Sequence, residues 1–355
     1  MFAASSLDFL KRLLDTPGPS GFEGAAARVW REGIADVATV SADVMGNSLA
    51  VVEGGGGPTI MLAGHIDEIG IIITWVDDGG LVYISPIGGW DPQVLVGQRI
   101  RFLSASGPVH GVVGKKPVHV MKPEEREKAS KVTDLWVDIG ASSKADALKL
   151  VQVGDAGVID GRAIELPNGR LVSRAIDNRI GAFVVAEALR RYAANPGEAR
   201  VVAVATAQEE IAYHGGGALV AANRLAPVMA IAVDVTFATD HPGVEKKEHG
   251  DHTLGGGPVL ARGSVISPVV FGLLRDRAAA LEIPVSVHAV GRDTATDADF
   301  IHIAREGVAT GLVSIPNRYM HSPNEMVSLD DVDRAATLIA DTCRHVTRAT
   351  DFAAR

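Results

Sequence analysis

Several segments of this sequence place imidazole or carboxylate side chains where apolar stretches give out. Thr59 to Ala63 runs into Gly64-His65-Ile66-Asp67-Glu68, and Arg200 to Thr206 runs through Ala207-Gln208 into Glu209-Glu210. Val228 to Val233 runs into Asp234, and Val308 to Ile315 leads through Pro316 to His321. Asp177 stands where an apolar helical pattern begins. In His65-Ile66-Asp67 an extended backbone puts both side chains on one side, and a metal-bound imidazole usually donates its other N–H to a carboxylate. A strand-end histidine beside a turn-capping aspartate has the same pattern. The adjacent carboxylates of Glu209 and Glu210 diverge from an extended segment, so one can bind a metal while its neighbour holds an attacking water. Directly after a buried strand, such charges need partners. Asp177 also suits a helix N-cap, and His321 lies in a loop, where exposure alone accounts for a histidine as readily as function does.

With Asp67 set aside as the partner of His65 and one of the glutamate pair counted, these positions offer two imidazoles and three carboxylates. Oxygen ligands mixed with imidazole suit Zn²⁺, Co²⁺ or Mn²⁺. One catalytic zinc takes three protein groups and a water, whereas two ions sharing a bridging carboxylate need five. That count predicts a co-catalytic hydrolase, whose paired ions sit about 3.5–4 Å apart and stabilise attacking and leaving oxygens. Competing chemistries lack their residues. There is no G-x-S-x-G and no second cysteine for a redox pair. Gly54 to Gly57 and Gly255 to Gly257 lack the Lys-Ser/Thr of a phosphate loop and read as turns. His110, His119, His249, His252, His288, His302 and His345 form no ligand spacing.

The elements that position these groups read as an α/β fold. Continuous apolar runs suit strands buried on both faces of a parallel or mixed sheet, and in open α/β sheets the site lies beyond the carboxyl ends of such strands. Four runs ending in polar residues therefore point to one shared site. Helices are predicted over Ser6 to Leu14, Glu23 to Ile34 and Ile180 to Ala194. Between about 72 and 165 the character changes. Short β-prone runs (IIITWV, LVYISPI, RIRFL, HGVVG, LWVDIG) are broken by Gly, Pro and Asp, as in a small sandwich or barrel. The predicted organisation is an α/β catalytic domain over 1–71 and 166–355, with a β domain inserted at 72–165.

Composition narrows the class. The 355 residues suit two domains at about 150 each. Apolar residues make up 47% and only 5% are aromatic, so the core must come from Val, Ile, Leu and Ala. A net charge of -9 argues against a nucleic-acid partner. No uncharged apolar run approaches the ~18 residues that span a bilayer, and the charged first stretch is not a signal peptide. The single cysteine, Cys343, excludes an intrachain disulfide and suits a reducing compartment. The expectation is a cytoplasmic protein without membrane association.

The ordered set of motifs resembles the glutamyl, or tetrahedral, aminopeptidase family of dinuclear metallopeptidases, some of whose members carry cellulase M or endoglucanase labels. The likeness spans nearly the whole chain. It includes Thr16 to Phe22 (TPGPSGF), Gly64 to Gly70 (GHIDEIG), Ser85 to Trp90 (SPIGGW), Ala175 to Arg179 (AIDNR), Gln208-Glu209-Glu210, Asp234-Val235-Thr236 and Tyr319 to Pro323 (YMHSP). The resemblance implies that His65, Asp177 and Asp234 hold one ion, and Asp177, Glu210 and His321 the other. Asp177 would bridge, Glu209 would be the general base and Asp67 would orient His65. It further implies two divalent ions (Zn²⁺ or Co²⁺, with Mn²⁺ as a further choice), peptide substrates and a PDZ-like β domain used for homo-oligomerisation. In this family dimers assemble into a tetrahedral dodecamer. One stretch departs from the family's usual Gly-x-Arg-Gly-Ala-like run, reading Ile211 to Ala218 with Tyr213 and His214 inside it; His214 is the polar group available there. The rival readings are a deacylase of modified amino acids or peptides, an endoglucanase-like glycoside hydrolase, which leaves both histidines unused, and a non-catalytic oligomeric binding protein.

Overall fold

A computed structural model describes residues 2–211 and 215–353. Its centre is an eight-stranded mixed sheet with the order Thr39–Ala42, Ser48–Val52, Arg200–Thr206, Thr59–His65, Met229–Phe237, Ala309–Asn317, Val259–Gly263, Ser286–Val290. The four strands predicted to end in polar residues lie side by side in the middle and run parallel. Their carboxyl ends therefore share one edge.

Side-chain alternation explains why these strands are apolar throughout. Ile60, Leu62, Val201, Ala203 and Ala205 point to one face and pack with Trp30, Phe183, Leu189 and Leu338. Met61, Ala63, Val202 and Val204 point to the other and meet Ala218, Ala221, Ala222 and Ile301. With period-2 alternation and helices on both sides, no position along the strand faces water. The helices Ala4–Asp15, Gly24–Ile34, Ile176–Ala194 and Leu329–Arg344 contribute to the first layer. Cys343 is buried on the last of these, and burial pushes its thiol up to about 12. Among the described residues no helix is long and apolar enough to cross a membrane.

Two observations differ from the expected element bounds. Asp234 lies inside its strand, which continues to Phe237, because the sheet extends past the apolar run. The helix expected from Ile180 begins at Ile176, and Asp177 and Asn178 within it have non-helical backbone angles, with a cis peptide between them. Its N-cap residue is Ala175, so Asp177 is not the cap. This irregular first turn lies hard against the sheet. A Cβ on Gly64 would come within 2.5 Å of the Gly181 backbone, and one on Gly181 within 2.5 Å of the Val233 carbonyl. The absent side chains let the helix start sit directly over the strand ends.

Gly70–Val76, Val82–Ile87, Trp136–Asp138, Gly107–Gly114, Arg99–Ser104 and Ala156–Ile159 close into a six-stranded antiparallel barrel. It has its own core, including Ile71, Ile73, Val82, Ile100, Phe102, Val113 and Val137. Ile164–Leu166 is not a barrel strand; it pairs with Arg170–Ser173, which pairs in turn with Glu325–Ser328.

Candidate metal centre

The sheet edge and the irregular helix start bring all seven sequence-selected residues together. His65 ends its strand, Asp234 is six positions into the next, Glu209 and Glu210 follow a third, and His321 follows the fourth through Asn317. Asp177 comes down onto them from the helix start.

Each imidazole is turned by its Nδ1. His321 Nδ1 lies 2.8 Å from the Gly89 carbonyl, and His65 Nδ1 lies 3.2 Å from the Asp67 carbonyl and 3.3 Å from Asp67 Oδ1. These oxygens only accept, so each Nδ1 carries a hydrogen, and Nε2 is the ring atom left to meet the rest of the cluster. Both Nε2 atoms face the same carboxylate. His65 Nε2 is 3.2 Å from Asp177 Oδ1, and His321 Nε2 is 3.3 Å from Asp177 Oδ2. Glu209 Oε2 stands 3.6 Å and Asp234 Oδ1 4.0 Å from His65 Nε2, while Glu210 Oε2 stands 3.5 Å from His321 Nε2. The glutamate pair thus diverges, one carboxylate towards each imidazole.

Asp67 holds the local frame. It accepts from Ser20 Oγ at 2.6 Å and from the Glu209 and Glu210 backbone N–H groups at 3.1 Å each. Besides facing His65, it therefore fixes the turn that carries both glutamates. Glu68 beside it is tied to Arg174 and, at 2.9 Å, to Arg179, and it accepts from the Gly18 N–H at 2.9 Å. That network clamps the Thr16–Phe22 loop to the segment carrying Asp177.

The electrostatics of this cluster lack positive charge. Burial pushes Glu209, Glu210 and Asp234 well above the ordinary carboxylate range. Burial also acts to raise Asp177, but the hydrogen bonds from His321 and His65 outweigh it and hold Asp177 below that range. Burial opposes charge on His65, yet Glu209, Asp177 and Asp67 raise it well above its usual value. Five acids, of which Asp67, Asp177 and Asp234 are buried and Glu209 and Glu210 half-buried, against two imidazoles are costly unless cations balance them. Glu210 Oε1, moreover, is buried without a hydrogen-bond partner. Ligand atoms of His65, Asp177 and Glu210 lie within 4.8 Å of one another, as do those of His65, Glu209 and Asp234. The donor set, two imidazoles with carboxylates, fits divalent metal ions.

Sequence reasoning missed Glu325. It is buried and accepts from the Asp177 N–H at 2.9 Å with one oxygen and from the His321 N–H at 2.8 Å with the other. Burial and the Asp177 charge push it up to about 8. Its signal was a glutamate two residues beyond His321-Ser322-Pro323. Asp297, bonded to Thr206 Oγ1 at 2.5 Å, and the cavity-lining His288 were also missed. Of the departing stretch, Tyr213 and His214 lie outside the described residues. Gly217 accounts for part of it, since a Cβ there would strike Asn47 Oδ1 at 2.0 Å.

The cluster opens into a cavity of about 660 Å³, within the usual range for small-molecule and peptide-end sites. A profile described as M42 glutamyl aminopeptidase matches residues 46–338. The lysyl aminopeptidase of Pyrococcus furiosus is 36% identical over 336 residues, covering 93% of this chain and 94% of that protein. Among solved structures, a TET aminopeptidase from a marine sediment Thaumarchaeota archaeon superposes with a TM-score of 0.91 at 32% identity, covering 96% of each chain. The Pyrococcus horikoshii TET1 peptidase, which can assemble into a tetrahedron or a large octahedral shell, gives a TM-score of 0.84 at 29% identity over 96% of this chain and all of that one.

Proposed function

The chain belongs to the M42 glutamyl aminopeptidase family and is a peptidase, and from that footing we propose that it removes the first residue of peptides using two divalent ions and a glutamate base. The observation that carries this reading is the pair of imidazole Nε2 atoms facing the two oxygens of Asp177 at 3.2 and 3.3 Å. Asp177 would be the shared ligand, with His65 and Asp234 holding one ion and Glu210 and His321 the other. Zinc or cobalt suits this mixture of imidazole and carboxylate.

Ions held there supply positive charge beside the scissile carbonyl and lower the pKa of water. The protein's own part falls to Glu209 and its supports. The Glu209 carboxylate lines the cavity and takes the proton of the attacking water, then returns it to the leaving amine. Asp67 keeps Glu209 at that position through the backbone and keeps the His65 ring turned. Glu325 sets the backbone of Asp177 and His321, so the groups stay placed through the cycle. Elemental analysis of active, dialysed protein tests the proposal: about two ions per chain are expected, and full activity in metal-free protein would refute it.

The inserted β domain, 72–165, serves homo-oligomerisation in this reading. Supporting it are apolar side chains exposed on and beside the barrel, Val118 at 53% and Val120 at 64%, with Trp75 and Val112 about half exposed. None of the proposed ligands lies in that range. Closed association covers such surface, and a tetrahedral shell would admit peptides while excluding folded proteins. Light scattering checks this: a strictly monomeric, fully active protein would overturn it.

A further inference from the structure

The cavity beyond the ligand cluster has a chemistry of its own, and we infer that it selects peptides whose first residue is basic, with Asp293 as the selecting group. This rests on the aminopeptidase reading and specifies its substrate class.

Past the ligands, the lining includes Ile211, Phe237, Phe300 and Met320, an apolar sleeve suited to a chain of methylenes. The ionisable groups that line it besides the ligands and Glu209 are Asp293, Asp299 and His288, and no lysine or arginine lines it among the described residues. The three arginines in nearby sequence are otherwise placed. Arg262 lies over the Phe271 ring at 5.4 Å, Arg318 is bonded to Asp240 at 2.8 Å, and Arg292 is not part of the lining.

The two aspartates have different work. Asp299 is consumed by the loop: it accepts from the Thr294 N–H at 2.8 and 2.9 Å, the Ala295 N–H at 2.8 Å and Thr294 Oγ1 at 2.7 Å. Those bonds stabilise the turn in which Ala295 has φ of 53°. Asp293 immediately precedes that turn, is exposed at the cavity, and has no hydrogen bond or ion pair among the described residues. Its carboxylate is therefore free and held at the lining by a built loop. Burial, and then His249, lower the pKa of His288, which disfavours a cation at that position.

A glutamyl side chain would meet this acid with no compensating charge, and a leucyl side chain would leave it unused. A lysyl or arginyl side chain lays its stem on the apolar wall and sets its charged head at Asp293, keeping the head in contact with water. Because the acid is exposed, the selection is moderate.

The test uses the metal-loaded full chain and four aminoacyl-nitroanilides: lysyl, arginyl, norleucyl and glutamyl. Norleucine has the lysine stem without the ammonium. Lysyl kcat/KM should exceed norleucyl by about fivefold at low salt, and the difference should shrink as salt screens the pair. Glutamyl should be the poorest. Asp293→Asn should bring the lysyl-to-norleucyl ratio close to one, and Asp293→Lys should place glutamyl above lysyl. Inhibition by free lysine against free norleucine gives a second reading of the same contact without turnover. Native preference for glutamyl or norleucyl, or a lysyl-to-norleucyl ratio unmoved in Asp293→Asn, overturns the inference while leaving the aminopeptidase reading intact. Failure to cleave any of the four substrates sinks that reading instead, and the inference with it.

Discussion

The sheet region and the barrel solve the same burial problem differently. In the sheet, helices cover both faces, so Thr59–His65 and Arg200–Thr206 are buried from their second residue to their last. In the barrel only the inward face is covered: along Gly107–Gly114 the side chains of the second half alternate between buried and outward, and Arg99–Ser104 buries Ile100 and Phe102 between outward neighbours. A strand closed in on both faces tolerates polar side chains only near its ends, so its polar residues mark the site. A barrel strand carries outward residues along its whole length, and those are free to meet another surface. The proposed ligands therefore gather in one region and outward-facing side chains in the other, with the His321 to Gly89 contact one of the links between them.

The sharpest way to break that division is at the carboxylate proposed to bridge the ions. Asp177→Ala should abolish measurable activity and release both ions together, read by elemental analysis, with the barrel still folded. Retention of one ion at full occupancy would mean that Asp177 does not bridge. Next in size, Glu209→Gln should lower kcat by about 10²–10⁴-fold with metal content unchanged; if the ions leave instead, Glu209 is a ligand and Glu210 the candidate base. Glu325→Gln should weaken metal affinity or activity by about 10–100-fold, because it disturbs two proposed ligands through their backbone and removes neither. Competition with a chelator measures it. The smallest catalytic effect belongs to the barrel side: Val120→Asp should reduce the mass seen by light scattering while kcat/KM on a small aminoacyl substrate moves less than about twofold. A matching loss of metal in that variant would show that the two regions are not separable.

Much of this was legible in the sequence because buried strands leave so few places for charge. His65, Asp234 and the glutamate pair were visible as polar residues terminating apolar runs, and the parallel neighbourhood of those runs follows from the same burial. The barrel's strands were visible as short β-prone runs, although Ala156–Ile159, four small apolar residues, carried too little pattern to stand out. What stayed hidden acts through other residues. Glu325 accepts from two backbone N–H groups and Ser20 donates its hydroxyl to Asp67, and no spacing rule distinguishes such a residue from a polar loop residue. The start of the Ile176–Ala194 helix was obscure for a related reason: its first turn is set by the sheet pressed against Gly181, not by local helix preference.

The buried Cys343 gives the chain a practical property. Its thiol is out of contact with water and stays protonated at any pH at which the protein is handled. Maleimide reagents should therefore leave the native fold unmodified, and any cysteine introduced at the surface becomes the single attachment point. One dye at Val44, on the sheet side, and one at Val120, on the barrel side, both fully or largely exposed, would report by energy transfer how the two regions move against each other, in a background that needs no cysteine removed.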